Sequence, residues 1–165
     1  MDAKINDPVE VPLLIDGKWT AGSNNFESLD PYHGDVVSTA PETTPEELDA
    51  AIAAAVRAAP KVAAMPARER AALLHRVADI LATRADDIGL IMARETGKAV
   101  KDARGEVVRC QDTVKLSAEE AIRIEGEHVP LDGSDMGNGK MAFMMRFPVG
   151  VVAAITPFNA PFNLA

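Results

Sequence analysis

Cysteine is almost absent from this 165-residue chain, with Cys110 the single one. One thiol excludes an internal disulfide framework and any CxxC redox or metal pair, and fits a reducing, cytoplasmic compartment. Only three histidines occur, His33, His75 and His128. None stands at HExxH or another metal-ligand spacing, so each reads as a surface or packed polar residue and a metal enzyme has no support. Clustered Lys and Arg are missing and the formal charge is −8, which argues against nucleic acid and anionic membrane as partners. No apolar run approaches the ~20 residues that span a bilayer, and residues 1–7 lack the apolar core of a signal peptide. There is no GxGxxG or GxxxxGK[ST] phosphate loop. Ser/His/Asp catalysis stays open on spacing alone, but no GxSxG elbow occurs.

What is present is ordinary for a globular chain: 47% apolar and 25% charged residues, in a length that allows one domain with a core. The N-terminal end reads as β-rich. Leu13 to Trp19 brackets Asp16-Gly17, a pair that favours the tight turn of a hairpin. Phe26 to Leu29, then Asp30-Pro-Tyr-His-Gly34, then Val36-Val37 repeats strand, turn and strand.

From Thr44 the apolar period lengthens to nearly four, and four helices are predicted. The first opens on a Thr44/Glu47 capping box with Pro45 in its first turn, carries Leu48, Ile52 and Val56 on one stripe, and is expected to end at Pro60. The second opens near Pro66. The third begins around Asp86, buries Ile88, Ile91 and Met92, and closes at Glu95-Thr-Gly-Lys98, where the glycine suits a left-handed cap. The fourth, from about Val100 to Ile122, is the longest and most polar, with Ala103, Val107, Val114, Ala118 and Ala121 as its apolar stripe. Cys110 lies mid-helix beside Glu106, Arg109 and Asp112, without a basic partner that would favour a thiolate, and reads as structural.

Asp132 to Gly139 is a turn-rich loop, and Lys140 to Phe147 reads as a strand in which Met141, Met144 and Met145 pack. Val149 and Val151 to Ile155 then form a β-branched run of the kind buried on both faces of a parallel sheet. That strand delivers Thr156-Pro-Phe-Asn159 at its carboxyl end, where open α/β sheets place ligands. Pro157 and Pro161 stiffen the backbone around Asn159, whose amide NH₂ suits donation to a developing oxyanion. On the residues alone, a turn or capping role for Asn159 is the stronger of the two readings.

The stretch Pro148-Val-Gly-Val-Val-Ala-Ala-Ile-Thr-Pro-Phe-Asn-Ala-Pro161 resembles the strand-and-turn motif of the aldehyde dehydrogenase superfamily, and Glu95-Thr-Gly-Lys98 resembles its helix-ending signature. Ile15-Asp-Gly-Lys-Trp19, Asp30-Pro31 and Gly34 are similar to that family's start, so the resemblance covers nearly the whole chain. It turns the preference at Asn159 towards catalysis. The fold it implies is α/β: hairpins, four helices and the first strand of a Rossmann-like parallel sheet. Residues 1–139 would be the N-terminal part of the cofactor-binding domain, 140–148 an oligomerisation-type strand, and 149–165 the first strand and turn of the nucleotide-binding sheet.

Members of the family are about three times this long by ordinary domain accounting. The resemblance therefore implies the N-terminal portion of an NAD(P)-dependent enzyme that oxidises a small aldehyde, and one inactive alone because the catalytic cysteine and glutamate lie elsewhere. It implies an oxyanion donor at Asn159, cofactor contacts at Ile155, Thr156, Pro157 and Phe158, and an aldehyde tunnel at Ala160 and Leu164. Arg109 would either hold an anion on the aldehyde or form a surface or interhelical ion pair. Ser28, Leu29 and Glu95 fall where some relatives carry a monovalent cation, and the full-length protein is expected to be a homo-oligomer. The partner of the 140–147 strand is expected outside this chain. The competing expectation is a non-catalytic helical interaction or oligomerisation module.

Overall fold

The computed structural model describes residues 8–165, and the segment 1–7 lies outside the described residues. Strand β1 (Val9–Glu10) is followed by the hairpin of β2 (Leu13–Ile15) and β3 (Lys18–Thr20), then by β4 (Asn24–Leu29) and β5 (Val36–Glu42). Asp16 and Gly17 both take positive φ, 52° and 73°, the backbone that joins twisted antiparallel strands in a two-residue turn. A three-stranded sheet runs in the order β1-β5-β4, with β1 parallel and β4 antiparallel to β5.

Four helices follow: α1 (Pro45–Ala63), α2 (Ala67–Thr83), α3 (Ala85–Thr96) and α4 (Val100–Ala121). The capping box forms as read, with Glu47 N–H donating to Thr44 Oγ1 at 3.2 Å and Thr44 N–H to Glu47 Oε2 at 2.8 Å. Pro60, expected to end α1, lies inside it. Its fixed φ is already helical and it removes one N–H, while Ala64 N–H still reaches Pro60 O at 3.1 Å. Gly97 ends α3 in the left-handed region at φ 71°, as its place in the sequence predicted.

The helices pack as α2 on α4 and α3 on α4. Their buried positions are largely small, with Ala71, Ala78, Ala103 and Ala118 among them, and small side chains let helix axes approach closely. Met92, Ala93, Ala103 and Val107 form the central cluster, with Ile88 partly buried against it. The Leu48, Ile52 and Val56 stripe of α1, by contrast, is exposed, because α1 meets the rest of the molecule chiefly along β2.

The expected strand over 140–147 shortens to β7 (Ala142–Met144), which pairs antiparallel with β6 (Glu127–Val129). Its partner on that edge is thus in the chain, contrary to the expectation, and His128 sits in a strand rather than a loop. Met141, Met144 and Met145 are exposed instead of packed. The apolar run over 149–155 forms no strand and is open to solvent. A parallel strand needs neighbours for its N–H and C=O groups, and no described strand pairs with this run.

Candidate active site

The segment carrying Asn159 meets the helical body at its far end. Leu164 N–H donates to Ala160 O at 3.2 Å, which closes one helical turn. Pro161 follows Ala160 at the position where a missing N–H costs least. Phe162 packs against Met92, Ala93, Ala103 and Val107. Phe162 N–H and Asn163 N–H donate to Glu106 Oε1 at 3.0 and 3.3 Å, and Asn163 Oδ1 accepts from the Thr113 hydroxyl at 3.0 Å.

Glu106 projects from α4 and is 0% exposed. Its other oxygen, Oε2, accepts from Lys98 Nζ just beyond the left-handed Gly97. Burial alone would raise the Glu106 carboxyl. The Lys98 hydrogen bond, the two backbone N–H groups and the Lys98 charge together outweigh it, and the pKa lies below the ordinary carboxylate range. One turn along α4, burial first and the Glu106 charge second push the Cys110 thiol up. Cys110 is therefore held as a protonated, buried thiol, not an activated nucleophile.

Asn159 itself is exposed, and its side chain has no hydrogen-bond partner among the described residues. Ile155 is 98% and Phe158 73% exposed, so the stretch read as a cofactor wall lies open among the described residues. Ala160 is half-buried and Leu164 exposed beside the same turn. Arg109 is exposed on α4 and forms no ion pair among the described residues.

Ser28 and Leu29 straddle an irregularity in β4, with Ser28 opposite Ser38 of β5. The Ser38 hydroxyl donates to Glu95 Oε1, so the fold brings Ser28 and Glu95 towards one another across β5. Nearby, Asp30 is buried with Oδ1 accepting from Tyr32 N–H at 2.8 Å and His33 N–H at 3.1 Å. Its Oδ2 lies 3.1 Å from His33 Nδ1. These bonds, the Tyr32 N–H first, lower its pKa from 3.8 to about 2. Among the described residues no three His, Cys, Asp or Glu gather as metal ligands. The best-formed concavities, of about 550 and 520 Å³, lie near the end of α4 and β6, and neither is lined by Asn159.

Residues 19–165 match the Aldehyde dehydrogenase family. The chain belongs to that family. Among its relatives is the 3-sulfolactaldehyde dehydrogenase of Priestia aryabhattai, 40% identical over 152 residues, which cover 92% of this chain and 31% of that protein. The fold matches aldehyde dehydrogenase 21 of Physcomitrella patens, solved in complex with the reaction product succinate, at TM-score 0.89 and 40% identity over 96% of this chain and 33% of that one. It also matches the NADP-dependent glyceraldehyde-3-phosphate dehydrogenase of Bacillus halodurans C-125, complexed with NADP, at TM-score 0.88 and 35% identity over 94% of this chain and 33% of that one. The chain thus spans about a third of the length of these relatives.

For an aldehyde dehydrogenase chain, the structure gathers Ala160 and Leu164 on one turn with Asn159 directly before it, and Ser28 and Glu95 around β5. It leaves Arg109 apart from any described charge partner and Ile155 to Phe158 uncovered. Sequence reading missed Glu106 and the partner role of Lys98. A signal was there: Glu106 falls three residues after Ala103 and four before Cys110, inside the apolar stripe of α4, and a charge at such a position demands partners.

Proposed function

We propose that this chain is the N-terminal part of an NAD(P)-dependent aldehyde dehydrogenase that oxidises a small aldehyde to a carboxylic acid, with Asn159 as an oxyanion donor. The observation that carries the reading is a contrast between neighbours: the backbone of the Ala160–Leu164 turn is tied to α4 through Glu106, while the amide of Asn159, directly before it, has no partner among the described residues. In this reaction class a cysteine thiolate adds to the aldehyde carbon, the carbonyl oxygen gains negative charge, and an N–H donor fixed beforehand stabilises it. Cys110 does not supply that thiolate, since it is buried with a raised pKa. Ile155, Thr156, Pro157 and Phe158 would hold the cofactor, and their uncovered apolar side chains beside the Thr156 hydroxyl suit a nicotinamide ring and its ribose. When bound, that cofactor takes up the hydride.

The aldehyde is assigned an anionic group remote from its carbonyl. Arg109 has a guanidinium with no ion-pair partner among the described residues, a group that pairs well with carboxylate, sulfonate or phosphate, and Ala160 and Leu164 would line the approach. The names 3-sulfolactaldehyde and succinate, attached to relatives, are anionic compounds of this kind. The same reading takes Ser28, Leu29 and Glu95 as the ligand side of a monovalent cation, with one Glu95 oxygen engaged by Ser38. It takes the protein as cytoplasmic and as a homo-oligomer built in part on β7, one edge of which is unpaired among the described residues.

Asn159→Ala, made in the active dehydrogenase containing this chain, is expected to lower kcat about a hundredfold or more with the unfolding midpoint unchanged. An unchanged kcat, with chemistry shown to be rate-limiting, removes Asn159 from the mechanism.

A further inference from the structure

We propose that Glu106 is a positioning residue: its carboxylate, fixed by Lys98, caps the turn at Ala160 to Leu164 from across the fold and so holds Asn159 in place. The proposal rests on the reading of Asn159 as an oxyanion donor. A turn whose first carbonyl acceptor is Ala160 has Pro161, Phe162 and Asn163 as its first three positions, and the N–H groups of the second and third have no partner within the turn. In most helical turns a Ser, Thr, Asp or Asn at the cap accepts one of them. Ala160 carries no such acceptor, and Glu106 Oε1 takes both N–H groups in its stead, at 3.0 and 3.3 Å.

The geometry also explains why a carboxylate is buried here. Each acceptor oxygen has a use, Oε1 for the two backbone donors and Oε2 for Lys98. The negative charge faces the N–H end of a turn, where backbone dipoles favour it. Lys98 is itself placed by the left-handed Gly97 and by the Thr96 hydroxyl, which accepts Lys98 N–H at 3.3 Å. The end of α3, the second turn of α4 and the turn that follows Asn159 thereby meet at one side chain. Asn159 lies directly before the capped turn, so a loosened cap shifts its amide relative to the reacting carbonyl without touching substrate.

Two double variants of the active dehydrogenase isolate the acceptor: Lys98→Met/Glu106→Gln, which keeps an oxygen at the site, and Lys98→Met/Glu106→Leu, which does not. In the second, amide exchange at Phe162 and Asn163 is expected to run about tenfold or more faster than in the first. Its kcat is expected to fall about tenfold or more, with KM within about twofold. Equal exchange at these two amides in both variants overturns the proposal. So does a faster exchange spread evenly over α3 and α4, which marks a general packing role. Should the Glu106→Leu protein not fold, the unmodified enzyme still decides: Phe162 and Asn163 amides exchanging at free-peptide rates overturn the cap, and protection matching that of α4 supports it. If the exchange result holds while Asn159→Ala leaves kcat unmoved, the catalytic reading of Asn159 fails and the capping contact stands.

Discussion

Gly97 sits at φ 71°, and a Cβ built there would lie 3.0 Å from Pro31 Cγ. Gly97→Ala therefore meets two penalties, the left-handed backbone and a contact with the Asp30 turn. It is expected to cost about 1–2 kcal/mol in urea unfolding. Asp30, in that turn, carries its own signature. Its pKa is depressed from 3.8 to about 2, so the folded state binds fewer protons than the unfolded one between those values. Its stabilising contribution is fully present above pH 3.8 and is lost as pH falls through about 2. Asp30→Asn is expected to flatten the acid limb of the stability profile in that window, read by thermal unfolding against pH. Glycine, Asp-Pro and the Asp-Gly pair announce their backbone demands one residue at a time, which is why Gly97, Asp30 and Asp16-Gly17 were legible in the sequence. The burial of Glu106 was not legible in that way, because its two backbone donors lie 56 and 57 residues away.

The crossing of α3 and α4 depends on a second glycine, a contact between segments that no local pattern announces. A Cβ on Gly89 would stand 2.7 Å from Arg104 Cγ, 3.1 Å from Arg104 Cα and 3.2 Å from its N. Two of those atoms are backbone and cannot swing aside. Gly89→Ala is expected to push the helices apart at a cost of about 1–3 kcal/mol, measured as a fall in the urea midpoint with the slope retained. Helices were the easiest elements to read because their hydrogen bonds are internal, so Thr44, Glu47 and Gly97 mark the ends of α1 and α3 without help from elsewhere. Pro60 misled, since a proline late in a helix removes one donor and need not stop the chain. The run over 149–155 stays unpaired among the described residues for a different reason. Its composition is that of a buried strand, but a strand exists only where another backbone completes its ladder.

Across the described molecule, buried area is concentrated where α2, α3 and α4 meet. Val149, Ile155 and Phe158 remain exposed, as does the outer stripe of α1. No helix among the described residues is long and apolar enough to cross a membrane. The chain prepared as these 165 residues is expected to form no NAD(P)H from any aldehyde, because its one thiol is buried and protonated. Aldehyde-dependent growth of the reduced-nicotinamide absorbance would contradict this if it scaled with the amount of purified chain.

The sequence by itself determined the family, through Glu95-Thr-Gly-Lys98 and the Pro148 to Pro161 motif, and with it the four helices and the hairpin turns. These are consequences of short-range rules: period, caps and left-handed residues act within a few positions. Only the tertiary structure decided which apolar stripe is covered, that β6 is the partner of β7, and that the Asn159 turn is held by a buried carboxylate on α4. Those are pairings between distant segments, and a buried charge or an open N–H declares its need for a partner without naming which one.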